Sequence, residues 1–327
     1  MLDRRSILLA SAALLLAAGP TAAQEATEAT APAQIPTKIK AVASFSILGD
    51  FVKTVGGDRL DVATLVGPNG DAHVYAPSPA DARTLAEAGL VFVNGLDFEG
   101  WLDRLVKASG TKATLVTATK GVSPLRSEHH DDDDHGHDHG HSHSHKGHSH
   151  GAFDPHAWQS VANAKIYVAN IRDALVTADP AGKDAYEANA TAYLAKLDAL
   201  EAEVKAAVER IPANRRRIVT SHGAFQYFEK AYGVEFVSPT GVSTDTEASA
   251  KTVARIIAQV KKQKIPAVFL ENVTDPRLVK RIADETGAKI GGTLYSDALT
   301  AADGPAPTYI DMIRHNIEAL TGALATS

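Results

Sequence analysis

Residues 181–211 form a run of about thirty positions rich in Ala, Leu, Glu and Lys. At ~1.5 Å per residue a helix of that span would be about 45 Å long, beyond the length of ordinary globular helices. Such a helix fits a strut between two lobes; the alternative is a long surface helix on one domain. On both sides of it, strand-like and helix-like patterns alternate. Before it come strands over 39–44, 60–66, 90–93 and 113–116, with helices over 47–55, 79–88, 99–107 and 161–177. Ser78 and Pro79 read as an N-cap and first turn, and Gly56-Gly57 as a helix stop. After it come strands over 217–220, 234–237, 267–270 and 289–294, with helices over 224–232, 248–262, 276–286 and 309–324. Alternation of this kind predicts an α/β chain of two lobes. Each lobe would hold a mainly parallel sheet flanked by helices, and one long rigid helix would join them. The expected partition is an N-terminal lobe over 38–180, the connecting helix over 181–211 and a C-terminal lobe over 212–327.

Arg4 and Arg5 precede an apolar run over residues 7–18, followed by a small-residue site ending at Ala23. That is the anatomy of an export signal, cut near Ala23. Arg4-Arg5-Ser6-Ile7-Leu8 also resembles a twin-arginine signal, which leaves the general secretory and twin-arginine routes both open. Residues 24–37, rich in Ala, Thr, Glu and Pro, read as a disordered leader. The chain has no cysteine, so thiolate metal ligands and lipid attachment through an N-terminal cysteine are excluded. The formal net charge of −6 comes without a basic patch, which argues against nucleic acid as a partner.

Ten of the fourteen histidines lie in one tract: His129, His130, His135, His137, His139, His141, His143, His145, His148 and His150. Asp131, Asp132, Asp133, Asp134 and Asp138 are interleaved with them. Imidazole and carboxylate are ligands for borderline divalent metals, and the intervening Gly and Ser bury nothing. The tract, residues 127–151, therefore reads as a flexible loop offering weak metal sites. Its bland alternative is a solvated insertion without a role.

His73, His156, His222 and His315 lie outside the tract. His73 follows the strand expected over 60–66, His222 follows the one over 217–220, and Asp297 follows the one over 289–294. Sites in open α/β sheets form at the carboxyl ends of parallel strands. His156, between the tract and the next helix, is placed to face the same cleft. Three imidazoles and one carboxylate would make an N₃O shell suited to zinc. Long spacings carry no local rule, so convergence of the four is an expectation. His315 follows Arg314 in a helical pattern and reads as packing or surface.

These segments together resemble the zinc- and manganese-binding solute-binding proteins of bacterial ABC transporters. The residues that carry the likeness are GDAHVYAPSP around His73, Asp154-Pro155-His156-Ala157-Trp158, Ser221-His222-Gly223-Ala224-Phe225, and Leu294-Tyr295-Ser296-Asp297-Ala298-Leu299. The resemblance implies a metal held between two lobes by His73, His156, His222 and Asp297, with Glu271 as a partner for a ligand imidazole. Where some zinc members carry a carboxylate before the first ligand histidine, this chain has Ala72. The fourth ligand is then Asp297 or a water. The histidine-rich insertion resembles that of zinc-specific members. The implied role is periplasmic capture of Zn²⁺ as cargo and delivery to an inner-membrane ABC permease, by a monomer that is not an enzyme. A periplasmic zinc chaperone is a further possible partner. Alternatives are a manganese or iron cargo, a periplasmic zinc buffer or chaperone, and, from another class, a zinc hydrolase. A hydrolase would keep an open metal position, and no HExxH helix is present.

Overall fold

The computed structural model describes residues 38–127 and 152–325. The expected export signal, the leader and the histidine-rich tract lie outside these residues. The N-terminal lobe begins with β1 (Ile39–Phe45), α1 (Ser46–Gly56) and β2 (Leu60–Val66). It continues with α2 (Pro79–Glu87), β3 (Leu90–Val93), α3 (Leu102–Ser109) and β4 (Thr114–Thr117). Its four strands are all parallel, in the order β2-β1-β3-β4. β1 is buried from Ala41 to Phe45 and β3 throughout. A continuous apolar run is what a strand covered on both faces by helices requires.

Next come α4 (Val161–Ala178) and α5 (Lys183–Glu209). α5 has 27 residues, so it is roughly 40 Å long. Tyr186, Ala190, Tyr193, Leu197, Leu200, Val204 and Ala207 form its buried stripe at alternating spacings of four and three. That stripe lies on α1 and α4 in one lobe and on the last helix in the other, so α5 links the lobes.

The C-terminal lobe comprises β5 (Arg217–Val219), α6 (Gln226–Tyr232), β6 (Glu235–Val237) and α7 (Ala250–Gln263). β7 (Ala267–Glu271), α8 (Arg277–Thr286), β8 (Lys289–Leu294) and α9 (Tyr309–Leu324) complete it. Its sheet is again parallel, in the order β6-β5-β7-β8. Both sheets thus reverse direction after their first two strands. The crevice at such a switch point is where α/β sheets bind ligands. It lies between β1 and β3 in one lobe and between β5 and β7 in the other.

Two core clusters follow. The larger runs from Val42, Phe45 and Phe92 through Tyr186 and Leu197 to Phe228, Leu294 and Ile313, and so belongs to both lobes. The smaller, including Val253, Ile256, Val268 and Ile282, fills the space between the C-terminal sheet and α7 and α8. Among the described residues no helix is long and apolar enough to cross a membrane.

Element boundaries depart from the sequence expectation where a side chain competes with the helix. The helix expected from residue 99 begins at Leu102. The Glu99 carboxylate instead accepts from Ser44 Oγ at 2.6 Å, Asn94 N–H at 2.6 Å and Gly95 N–H at 3.2 Å. This draws residues 95–97 through positive φ at Gly95, Leu96 and Asp97. The strut is also shorter than expected at its start, because Pro180–Gly182 forms a separate turn before α5.

Candidate metal centre

His73, His156, His222 and Asp297 meet. Their candidate ligand atoms all lie within 4.8 Å of one another. His73 Nε2 is 3.2 Å from His156 Nε2 and 3.4 Å from Asp297 Oδ2. His156 Nε2 is 3.5 Å from Asp297 Oδ1, and His222 Nε2 is 3.1 Å from Asp297 Oδ2. His315 is elsewhere, its Nε2 3.1 Å from Thr293 O and its ring against Tyr295.

A carboxylate accepts from the backbone N–H of each histidine, and two of the three imidazoles also face one. Asp71-Ala72-His73 and Asp154-Pro155-His156 share an Asp-x-His pattern with one local geometry. Asp71 Oδ1 accepts from His73 N–H at 2.9 Å, and Asp154 Oδ1 accepts from His156 N–H at 2.8 Å. Asp154 Oδ1 also lies 2.7 Å from His156 Nδ1. A carboxylate there accepts a hydrogen bond from Nδ1–H, which fixes the proton on Nδ1 and leaves the Nε2 lone pair facing the centre. For His222 the carboxylate comes from another strand. Glu271, at the end of β7, accepts from Ser221 N–H and His222 N–H through Oε1, at 2.7 and 3.0 Å. Its Oε2 lies 2.7 Å from His222 Nδ1, a charge contact rather than an aligned hydrogen bond.

Asp297 is placed by its backbone. Trp158 Nε1–H and Gln159 Nε2–H both donate to Ser296 O, at 2.9 and 2.7 Å. Leu299 N–H donates to Ser46 Oγ at 2.9 Å, and Asn69 N–H to Leu299 O at 2.8 Å. Both Asp297 oxygens and His222 Nε2 are buried without a hydrogen-bond partner. Leaving such acceptors unsatisfied is costly, and a cation held between them would remove that cost. Phe98 packs edge-on to His73, and Trp158 to His156, which keeps the walls apolar.

The electrostatics fit a cation. Burial is the largest influence on Asp297 and opposes its ionisation. The facing His222 and His156 outweigh it and hold the carboxyl well below the usual range. Burial likewise opposes the His222 cation, but Glu271 and Asp297 raise its pKa well above the ordinary value. His73 is lowered, by burial first, against the pull of Asp297. Counted alone, three neutral imidazoles and Asp297 leave one positive charge of a divalent ion uncompensated. Asp154 and Glu271, each one contact behind an imidazole, bring two further negative charges, more than enough to offset it.

Glu271, which the resemblance implies as a partner for a ligand imidazole, is placed with Oε2 2.7 Å from His222 Nδ1. Asp154 and Asp71 were missed, although the repeated Asp-x-His spacing was a readable signal for both. Glu99 stands in a family-like segment, Glu99-Gly100-Trp101-Leu102, but its partners there, Ser44 on β1 and Asn94 just past β3, are distant or irregular in sequence and gave no sign of its role.

The family described as zinc-uptake complex component A, periplasmic, matches residues 41–323. The chain is 34% identical over 290 residues to the iron-binding protein YfeA of Yersinia pestis, covering 88% of this chain and 87% of that one. It is 31% identical over 293 residues to the manganese ABC transporter substrate-binding lipoprotein PsaA of Streptococcus pneumoniae, covering 88% and 89%. Among solved structures, the periplasmic zinc-binding protein TroA of Treponema pallidum superposes with a TM-score of 0.77 at 28% identity, covering 88% of this chain and all of that one. A Mn-bound periplasmic metal-binding protein from Candidatus Liberibacter asiaticus gives 0.74 at 31% identity, with 87% and 98% covered. Members of this family are transport proteins, so the hydrolase alternative falls. The chain belongs to this family: it is an exported, periplasmic metal-binding solute-binding protein of an ABC transporter, which works with a membrane permease and ATPase and binds a metal ion as cargo.

Proposed function

We propose that the cargo is Zn²⁺, held by His73, His156, His222 and Asp297 and handed to an inner-membrane permease for zinc uptake. The carrying observation is the donor set: three imidazole nitrogens and one carboxylate within 4.8 Å of one another. A nitrogen-rich shell suits zinc, whereas manganese favours carboxylate, carbonyl and water oxygens. Export would remove the signal near Ala23, and the histidine-rich tract would gather metal weakly beside the tight site. A periplasmic zinc chaperone as donor fits the same reading.

A second reading keeps the site and changes the cargo. Relatives of comparable identity are named for iron and manganese.

Calorimetric titration of the mature chain with Zn²⁺ and with Mn²⁺, beside His222→Ala, separates these. The zinc reading expects one tight zinc site, lost in His222→Ala and retained when residues 128–151 are deleted, with Mn²⁺ bound far more weakly. Equal or tighter Mn²⁺ binding would transfer the assignment to manganese. Equal zinc binding by wild type and His222→Ala would remove the ligand assignment altogether.

A further inference from the structure

We propose that Tyr227 is a positioning residue of the metal site, tying a two-stranded stem to α6 and thereby setting the aim of His156. The proposal rests on the metal-capture reading above.

The stem is formed by residues 125–127 and 152–154. Arg126 and Phe153 make an isolated antiparallel bridge, with the Arg126 guanidinium 6.0 Å from the Phe153 ring centroid. Ser127 N–H donates to Ala152 O at 3.2 Å, and Asp154 N–H to Leu125 O at 2.8 Å. One side chain from the other lobe joins both strands. The Tyr227 hydroxyl accepts from Leu125 N–H at 3.0 Å and donates to Asp154 O at 2.9 Å. Tyr227 is buried, so neither bond is readily replaced by water. α6 is gripped a second time further along: Tyr232 OH accepts from Val161 N–H at 3.1 Å and donates to Glu201. Two tyrosines of one helix thus bracket residues 154–161, the segment that carries His156.

Why the hydroxyl matters follows from what lies beside Asp154. Its Oδ1 holds His156 through both the backbone N–H and Nδ1. Its Oδ2 is buried without a hydrogen-bond partner, and the residue borders a cavity of about 250 Å³ also lined by Gly223, Gln226, Ser238 and Thr240. The Asp154 side chain is wholly buried and bonded only through Oδ1, so the aim of its carboxylate follows the backbone that Leu125 and Tyr227 hold. Removing the hydroxyl leaves Leu125 N–H and Asp154 O without their partner and loosens the backbone that carries Asp154, and His156 then loses the firm hold that fixes its tautomer and its Nε2 direction.

The test compares Tyr227→Phe with Tyr186→Phe, a buried tyrosine on α5 that gives its hydroxyl proton to Asp179, away from the site. Affinity is read by chelator competition for Zn²⁺, and geometry by the visible spectrum of the Co²⁺-loaded chain. Tyr227→Phe is expected to bind about 10–100-fold more weakly, with a changed Co²⁺ spectrum. Tyr186→Phe should lose stability and keep both readouts. In an Asp154→Asn background Tyr227→Phe should add no further loss, because both changes act through one contact. Wild-type affinity and spectrum in Tyr227→Phe, or additive losses with Asp154→Asn, would overturn the proposal. A wild-type chain with no tight site sensitive to His222→Ala would instead overturn the capture reading on which it stands.

Discussion

Glu271 does two things that substitution can separate. One oxygen accepts from the Ser221 and His222 backbone amides, and the other faces His222 Nδ1. In Glu271→Gln the amide oxygen still satisfies the two backbone donors, so the fold is kept. The amide NH₂ then faces Nδ1, which becomes the acceptor, and the imidazole proton moves to Nε2 where the metal should bind. We expect Glu271→Gln to melt near wild type yet bind zinc about 10–100-fold more weakly. Glu271→Ala should lose affinity and stability together, since each buried amide left without a partner costs about 1–3 kcal/mol. Paired calorimetric titrations and thermal melts check this, and wild-type affinity in Glu271→Gln would refute it. That His73, His156, His222 and Asp297 converge was legible because strand ends and family-like segments flagged them. Asp154 was passed over because an Asp two residues before a histidine also serves as an ordinary turn residue, and only the 2.7 Å contact to Nδ1 distinguishes the cases.

Elements were legible wherever burial is periodic or continuous, as in the four-three stripe of α5 and the apolar run of β3. Legibility failed at the start of α3, where Glu99 is claimed by distant donors, and it failed wherever one element serves another's terminus. Asp50 is such a case. It lies on α1, and its Oδ2 accepts from Tyr309 N–H at 2.9 Å, at the first turn of α9 in the other lobe. Burial, the largest influence, raises its pKa to about 6, and Asp311 adds to the rise. The Tyr309 bond, Lys53 and Tyr193 oppose it. The sign is the reverse of a paired surface carboxylate. Between an unfolded value of about 4 and a folded value of about 6, the native chain holds the extra proton. Stability from this group therefore falls as pH rises through that window and stays low above it. Asp50→Asn keeps an acceptor for Tyr309 N–H and removes the buried charge. It should raise stability at pH 7.5 by at most about 3 kcal/mol and change little near pH 4. Melting of both proteins at the two pH values decides it, and a difference that does not grow with pH would be inconsistent with a buried Asp50 charge.

The larger core cluster is shared between the lobes, and this limits how the molecule opens. Phe45 and Leu197 belong to the same packed set as Phe228, Leu294 and Ile313. Wide hinge opening would expose that interface, at about 25 cal/mol for each Å² of apolar surface uncovered. The ligand segments are also tied across the lobes, by Asn69 to Leu299, Ser46 to Leu299 and Trp158 to Ser296. Metal loading should therefore act through local rearrangement around the four ligands rather than through closure of one lobe on the other. Two measurements on the mature chain follow. Small-angle scattering should give the same radius of gyration with chelator and with one equivalent of Zn²⁺. The melting transition should nevertheless shift upward, because an ion bound only by the folded form adds about 4 kcal/mol when free metal exceeds its Kd ~1,000-fold. His222→Ala should lose that shift while scattering like the wild type. A clear contraction on adding Zn²⁺ would mean that the shared core parts in solution and that the site is assembled by lobe closure after all.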